Sequence, residues 1–220
     1  MILPVTGVLS PDLIKICRRL ASDDTLFVDG RSTAGWYAKQ HKHNLQARPT
    51  AQVQKLMDQI SSAIQGHELV QAAARPKTII RMLLSRYDEG MHYGTHVDDA
   101  LMDGQRTDVS FTVFLNEPET YDGGELVIDE PSAERPFKQA AGSALLYPSN
   151  TLHRVMPVTR GRRLVLVGWM RSLIRDPAQR EMLFDLERSI TQLRSAPDQA
   201  EALALLLKTR SNLLRMWAED

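Results

Sequence analysis

The stretch Arg163-Leu164-Val165-Leu166-Val167-Gly168-Trp169-Met170-Arg171 decides the fold class. Its β-branched and aromatic content reads as a strand, and successive strand side chains point to opposite faces. Arg163, Val165, Val167 and Trp169 then share one face; Leu164, Leu166, Gly168 and Met170 share the other. A charge on an apolar face is costly to bury alone, so Arg163 needs a partner.

Upstream lie more runs of this kind: Thr78–Tyr87, Val109–Leu115, Glu125–Ile128 and Ser143–Tyr147, separated by turn signals such as Asp122-Gly123-Gly124, Gly142 and Gly161. Several short strands at this spacing predict an α+β chain with a mainly β core, an antiparallel sandwich or jelly roll and not a parallel sheet.

Helical patterns flank the core. Ser10-Pro11 is an N-cap and first-turn pair, followed by Leu13, Ile16, Cys17 and Leu20 at helical spacing. Thr25–Val28 reads as a short strand. The polar stretch Gly35–Arg48 supports no assignment. Residues 50–65 form a helix with Val53, Leu56, Met57 and Ile60 on one face, ended by Gly66. Asp176-Pro177 opens a helix carrying Met182, Leu183, Leu186 and Ile190. Ala196-Pro197-Asp198 breaks it, and Leu203, Leu206, Leu207, Leu213, Leu214 and Trp217 mark a last one. The expected division is 1–75 as an N-terminal flank, 76–172 as the core and 173–220 as a C-terminal αα-hairpin. The hairpin's apolar face has to pack somewhere, by default on its own core; closing over a pocket, binding a protein substrate and forming a homodimer stay open.

A chain of 220 residues buries a substantial core. Its 27 Lys+Arg balance 27 Asp+Glu, which disfavours nucleic acid as a partner. The lone Cys17 excludes an intrachain disulfide and reads as a buried structural thiol. MILPVTGVLS lacks the form of a signal peptide, and no window approaches ~18 uninterrupted apolar residues. A cytoplasmic protein without membrane contact is the expectation.

The chemistry lies in His96-Val97-Asp98 and a distant His153. Two imidazoles and one carboxylate are the ligand set of a non-haem ferrous site with open positions. An arginine such as Arg163 suits a carboxylate co-substrate. Each residue alone has a structural reading; order and spacing together favour the functional one. His92 and His96, four apart, could bind zinc on a helix, but Gly90 and Gly94 argue against a helix there. Asp99, Asp103 and Asp108 read as a solvated loop or strand entry, His41, His43 and His67 lie outside the core pattern, and Glu125 reads as a strand-edge residue.

The segment Arg86–Asp98 (RYDEGMHYGTHVD) resembles the ligand strand of the Fe(II)/2-oxoglutarate-dependent dioxygenases of the prolyl/lysyl hydroxylase type. Tyr121–Leu126, and His153–Val155 through Gly161–Arg163, resemble further motifs of that superfamily. Within it, Asp29–Gly35 and the Asp176–Leu186 stretch match the flanks of the bacterial PKHD-type (PiuC-like) hydroxylases, so the resemblance covers nearly the whole chain.

The resemblance implies a double-stranded β-helix, or jelly roll. It implies catalysis at iron held by His96, Asp98 and His153, and 2-oxoglutarate held by Arg163, with Tyr87 assisting. Tyr93 and Trp169 occupy positions near the pocket, with packing as their expected role. The implied reaction is hydroxylation of an unidentified small-molecule or protein substrate with O2, releasing succinate and CO2, with L-ascorbate rescuing oxidised iron. Charge counting agrees: Fe(II), Asp98, dianionic 2-oxoglutarate and Arg163 sum to zero. Two other readings use the same ligands: a non-catalytic Fe(II)/2-oxoglutarate sensor acting through its terminal helices, and a cupin-like metalloenzyme without 2-oxoglutarate, against which Arg163 speaks.

Overall fold

The computed structural model describes residues 1–33, 38–194 and 198–219. Ala34 and Gly35 of the flank motif, and Ala196-Pro197 of the inter-helix break, lie outside the described residues. In chain order the strands are β1 Leu3–Val5, β2 Phe27–Asp29, β3 Lys42–His43, β4 Leu45–Ala47, β5 Pro76–Tyr87, β6 His92–His96, β7 Leu101–Met102, β8 Gln105–Arg106, β9 Val109–Phe114, β10 Asp122–Gly123, β11 Leu126–Glu130, β12 Ala133–Phe137, β13 Ala144–Pro148, β14 His153–Val155, β15 Val158–Arg160 and β16 Arg163–Ser172. The helices are α1 Pro11–Ala21, α2 Ala51–Gly66, α3 Glu68–Ala74, α4 Pro177–Leu193 and α5 Ala200–Trp217.

Two antiparallel sheets make the core. The larger has the order β1-β13-β9-β16-β5-β4-β2, and the smaller β12-β11-β14-β6-β3. Strand β16 lies between β9 and β5, and its alternating faces enter two different apolar clusters. Leu164, Leu166 and Met170 join Cys17, Leu20, Val53, Ile60, Val70 and Phe184 beneath the helices. Val165 joins Tyr87, Phe114, Leu126, Ile128, Leu145 and Tyr147 in the second cluster, which draws on both sheets. The predicted jelly-roll core and the parity of β16 are therefore present.

The helix starts follow their capping chemistry. Ser10 accepts from the Leu13 backbone N–H, Thr50 from Val53, and Asp176 from Ala178 and Gln179. Helix α3 was not expected. It is short and lacks a side-chain cap, yet it buries Val70, Ala73 and Ala74 and ends at Arg75 in the left-handed region, just before Pro76. Thr25–Val28 is displaced as a strand: Asp23 accepts from the Thr25 N–H at 3.0 Å, winding Asp24–Leu26 into a 3-10 turn and leaving Phe27–Asp29 extended. The polar stretch before Arg48 contains β3 and β4, which cross from the small sheet to the large one. Cys17 is fully buried, and that burial pushes its thiol up to about 12.

Asp108 is not a solvated loop carboxylate. It is buried and accepts from Arg106 Nε at 2.7 Å and from the Ser172 N–H at 2.8 Å. Arg106 reaches on to Glu219 at 2.8 Å, tying the chain's end to the core. Of the C-terminal hairpin, α4 buries Leu183, Phe184 and Ile190, whereas α5 packs on α4 and buries none of its residues. No helix among the described residues is long and apolar enough to cross a membrane.

At Gly168 neighbouring groups crowd the backbone of β16. A Cβ there would collide with the Phe111 ring and lie 2.9 Å from the Arg81 carbonyl oxygen. Gly168→Ala is expected to destabilise the protein by about 1–3 kcal/mol through overpacking; an unchanged urea midpoint would contradict this.

Candidate functional site

His96 ends β6 and stands directly across the ladder from His153, the first residue of β14. Strand pairing thus brings together two imidazoles that are far apart in sequence, with ring centroids 4.2 Å apart. Asp98, two residues beyond His96, joins them: one ligand atom from each of His96, Asp98 and His153 lies within 4.8 Å of the others. All three line one cavity of about 810 Å³, open mouth included.

Both rings are oriented by the backbone. His96 Nδ1 is 2.8 Å from the Gly94 carbonyl oxygen, and His153 Nδ1 is 3.0 Å from that of Thr151. A carbonyl can only accept, so each Nδ1 carries the hydrogen and each Nε2 keeps a lone pair for a metal. Burial, with the His153 ring beside it, pushes His96 down to about 3 and keeps it neutral. Tyr93 stacks on His96 at 3.7 Å, and Tyr147 meets His153 edge-on at 5.0 Å. Ser110 on β9 donates to Asp98 Oδ2 at 2.6 Å. A hydroxyl has one proton, so the 2.9 Å contact between Ser110 and Ser149 has Ser149 as donor. Asp98 is thereby held at the end of a hydroxyl relay.

Arg163 also lines this cavity. It is 1% exposed, and its Nε and Nη1 have no hydrogen-bond partner among the described residues. Its guanidinium lies 4.9 Å from the centre of the Tyr87 ring, its cross-strand partner. Burial raises the Tyr87 phenol above its usual range, while the Arg163 charge opposes the shift. Tyr121 responds in the same two ways. A fully buried cation with unused donors is costly without an anion, so the residues present fit a carboxylate at Arg163. The two imidazoles and the carboxylate fit a divalent cation with open positions.

The structure brings together His96, Asp98, His153, Arg163 and Tyr87, and Tyr93 and Trp169 line the same cavity. His41, His43, His67 and Glu125 do not line it. His92 turns instead toward His43, with ring centroids 5.9 Å apart. Sequence reasoning missed Lys42, Asn44 and Gln46, which line the cavity at alternate positions, as well as Ser85 and Ser110. For the first three a signal existed: polar residues at period two, in a stretch too polar to read as a buried strand. Nothing local marked Ser85 or Ser110.

Comparison with known proteins places this geometry in context. The sequence model of the 2OG-Fe(II) oxygenase superfamily matches residues 82–171, and that of the PKHD-type hydroxylase C-terminal domain matches 177–219. A PKHD-type hydroxylase of Picosynechococcus sp. is 49% identical over the full length of both chains. Another, from Maricaulis maris, is 50% identical over 88% of this chain and 89% of its own. Among solved structures, a Pseudomonas putida prolyl-4-hydroxylase aligns with a TM-score of 0.53 at 24% identity, over 78% of this chain and 92% of its own. A Trichoplax adhaerens prolyl hydroxylase aligns at 0.54 and 14% identity, over 77% of this chain and 83% of its own. Likeness at these identities concerns the fold.

Two outcomes are expected of the site. Ser110→Ala should lower Mn(II) affinity by about 10- to 100-fold while the protein stays folded, as loss of a carboxylate-orienting partner does; unchanged affinity in a metal titration would refute that role. His96 takes a proton near 6.5 in the unfolded chain but only near 3 when folded. Acid therefore favours the unfolded state between these values, and the metal-free protein should lose stability as pH falls below about 6.5. Urea midpoints across this range should fall less steeply in His96→Gln.

Proposed function

The chain belongs to the PKHD-type hydroxylases of the 2OG-Fe(II) oxygenase superfamily, and on that premise we propose that it hydroxylates its substrate at a metal held by His96, Asp98 and His153, with release of succinate and CO2. The observation that carries this reading is the pairing, in one cavity, of a His-Asp-His cluster with a buried Arg163 whose donors lack partners. A bound Fe(II) supplies the activation of O2 that drives oxidative decarboxylation of 2-oxoglutarate and oxygen transfer to a C–H bond.

The protein's share is placement. The Gly94 and Thr151 carbonyls hold both imidazoles with Nε2 free, and Ser110 fixes the Asp98 carboxylate. Arg163 receives the distal carboxylate of 2-oxoglutarate, and Tyr87, packed against the guanidinium, adds a hydroxyl donor. The apolar lining from Leu83, Val97, Leu126, Val155 and Val167 limits water around the reacting atoms. His96, kept neutral by burial, needs no deprotonation before it ligates.

The test is succinate formation by purified protein with Fe(II), 2-oxoglutarate, ascorbate and air. Slow basal turnover is expected, abolished in His96→Ala and Asp98→Ala. Arg163→Met should raise the 2-oxoglutarate requirement on the order of 100-fold, the scale for truncating one partner of a buried charge pair. A wild type without any 2-oxoglutarate turnover across a broad substrate screen would overturn the proposal.

A further inference from the structure

Asn44 lies between β3 and β4, in the stretch that could not be assigned from sequence. The ladder pairs Leu45 with Arg86 and Gln46 with Ser85. Continued by one residue, this register sets Asn44 beside Tyr87, which in turn pairs with Arg163. Asn44, Tyr87 and Arg163 thus form one row across three neighbouring segments, and all three line the cavity.

The row is unusual in its hydrogen bonding. Asn44 is 2% exposed, yet neither its Nδ2 nor its Oδ1 finds a partner among the described residues. A buried amide left unsatisfied is destabilising. Its position is nonetheless tightly set. The Gly30 N–H donates to the Asn44 carbonyl oxygen at 2.8 Å, and a Cβ at Gly30 would collide with Asn44 Oδ1. The amide is packed against the Gly30 backbone and approaches the Tyr87 side chain without a well-formed hydrogen bond to it. It also lies close enough to Tyr87 to favour the phenol's ionised form, though less than burial opposes it.

We propose that Asn44 is a third arm of the co-substrate clamp, its amide donating to the distal carboxylate of 2-oxoglutarate alongside Arg163 and Tyr87. This rests on the function proposed above. A carboxylate offers about four lone-pair sites, more than Arg163 and Tyr87 need fill. Asn44 supplies a neutral donor that adds no charge to the balanced pocket. The role makes the N-terminal segment part of co-substrate recognition and gives the close approach at Gly30 a purpose.

The test uses Mn(II)-loaded full-length protein and calorimetric titration with two probes: 2-oxoglutarate, and 2-oxopentanoate, the five-carbon 2-oxo acid without the distal carboxylate. Wild type should prefer 2-oxoglutarate. Asn44→Ala should bind 2-oxoglutarate about 10- to 100-fold more weakly, as loss of a hydrogen bond to a charged group does. Its affinity for 2-oxopentanoate should be unchanged. Asn44→Asp, which keeps the shape but sets a carboxylate against a carboxylate, should show the same selective loss. Equal losses for both probes would reduce Asn44 to a structural residue and overturn the inference, as would no loss in either variant. A wild type that does not prefer 2-oxoglutarate would instead overturn the underlying function.

Discussion

A guanidinium buried between two sheets is the constraint around which this molecule is arranged. Arg163 opens β16, is almost inaccessible to solvent, and keeps donors that the described protein groups do not use. No carboxylate side chain is paired with it among the described residues. The fold therefore carries an electrostatic cost that an incoming anion removes. The His-Asp-His cluster in the same cavity adds a second demand, for a cation, and the two charges then call for a ligand that meets both. A 2-oxo dicarboxylate has the matching ends: adjacent keto and carboxylate oxygens for a metal, and a distant carboxylate for Arg163.

The long β5–β16 ladder makes this arrangement rigid. It fixes Arg163 against Tyr87 at one end and, further along, Trp169 against Arg81. One face of β16 carries the cavity and the other anchors the helical layer through Leu164, Leu166 and Met170. The helices thus stabilise the site from behind without entering it. The smaller sheet supplies the imidazoles by a single cross-strand pair, and Ser110 of the larger sheet steadies the carboxylate between them.

What the sequence revealed was local in origin. The period-two pattern of β16, the helix starts at Ser10 and Asp176, and the His-x-Asp pair with a later His are each written in a few neighbouring residues. What it hid depends on distant partners. Lys42, Asn44 and Gln46 are buried although polar, inverting the usual pattern, because they line a cavity and not an apolar core. Helix α3 is short and uncapped, and its helical state rests on burying Val70, Ala73 and Ala74. Asp108 gains its burial from Arg106 and from the Ser172 N–H on β16, a residue remote in the chain. The role of Ser110 follows only from strand pairing.

The most direct test of the central claim is a crystal structure of the protein with Mn(II) and 2-oxoglutarate, the metal located by its anomalous scattering. The account predicts one metal bound by His96 Nε2, the Asp98 carboxylate and His153 Nε2, chelated by the co-substrate, whose far carboxylate rests on Arg163. A metal held elsewhere, or a co-substrate turned away from Arg163, would contradict it.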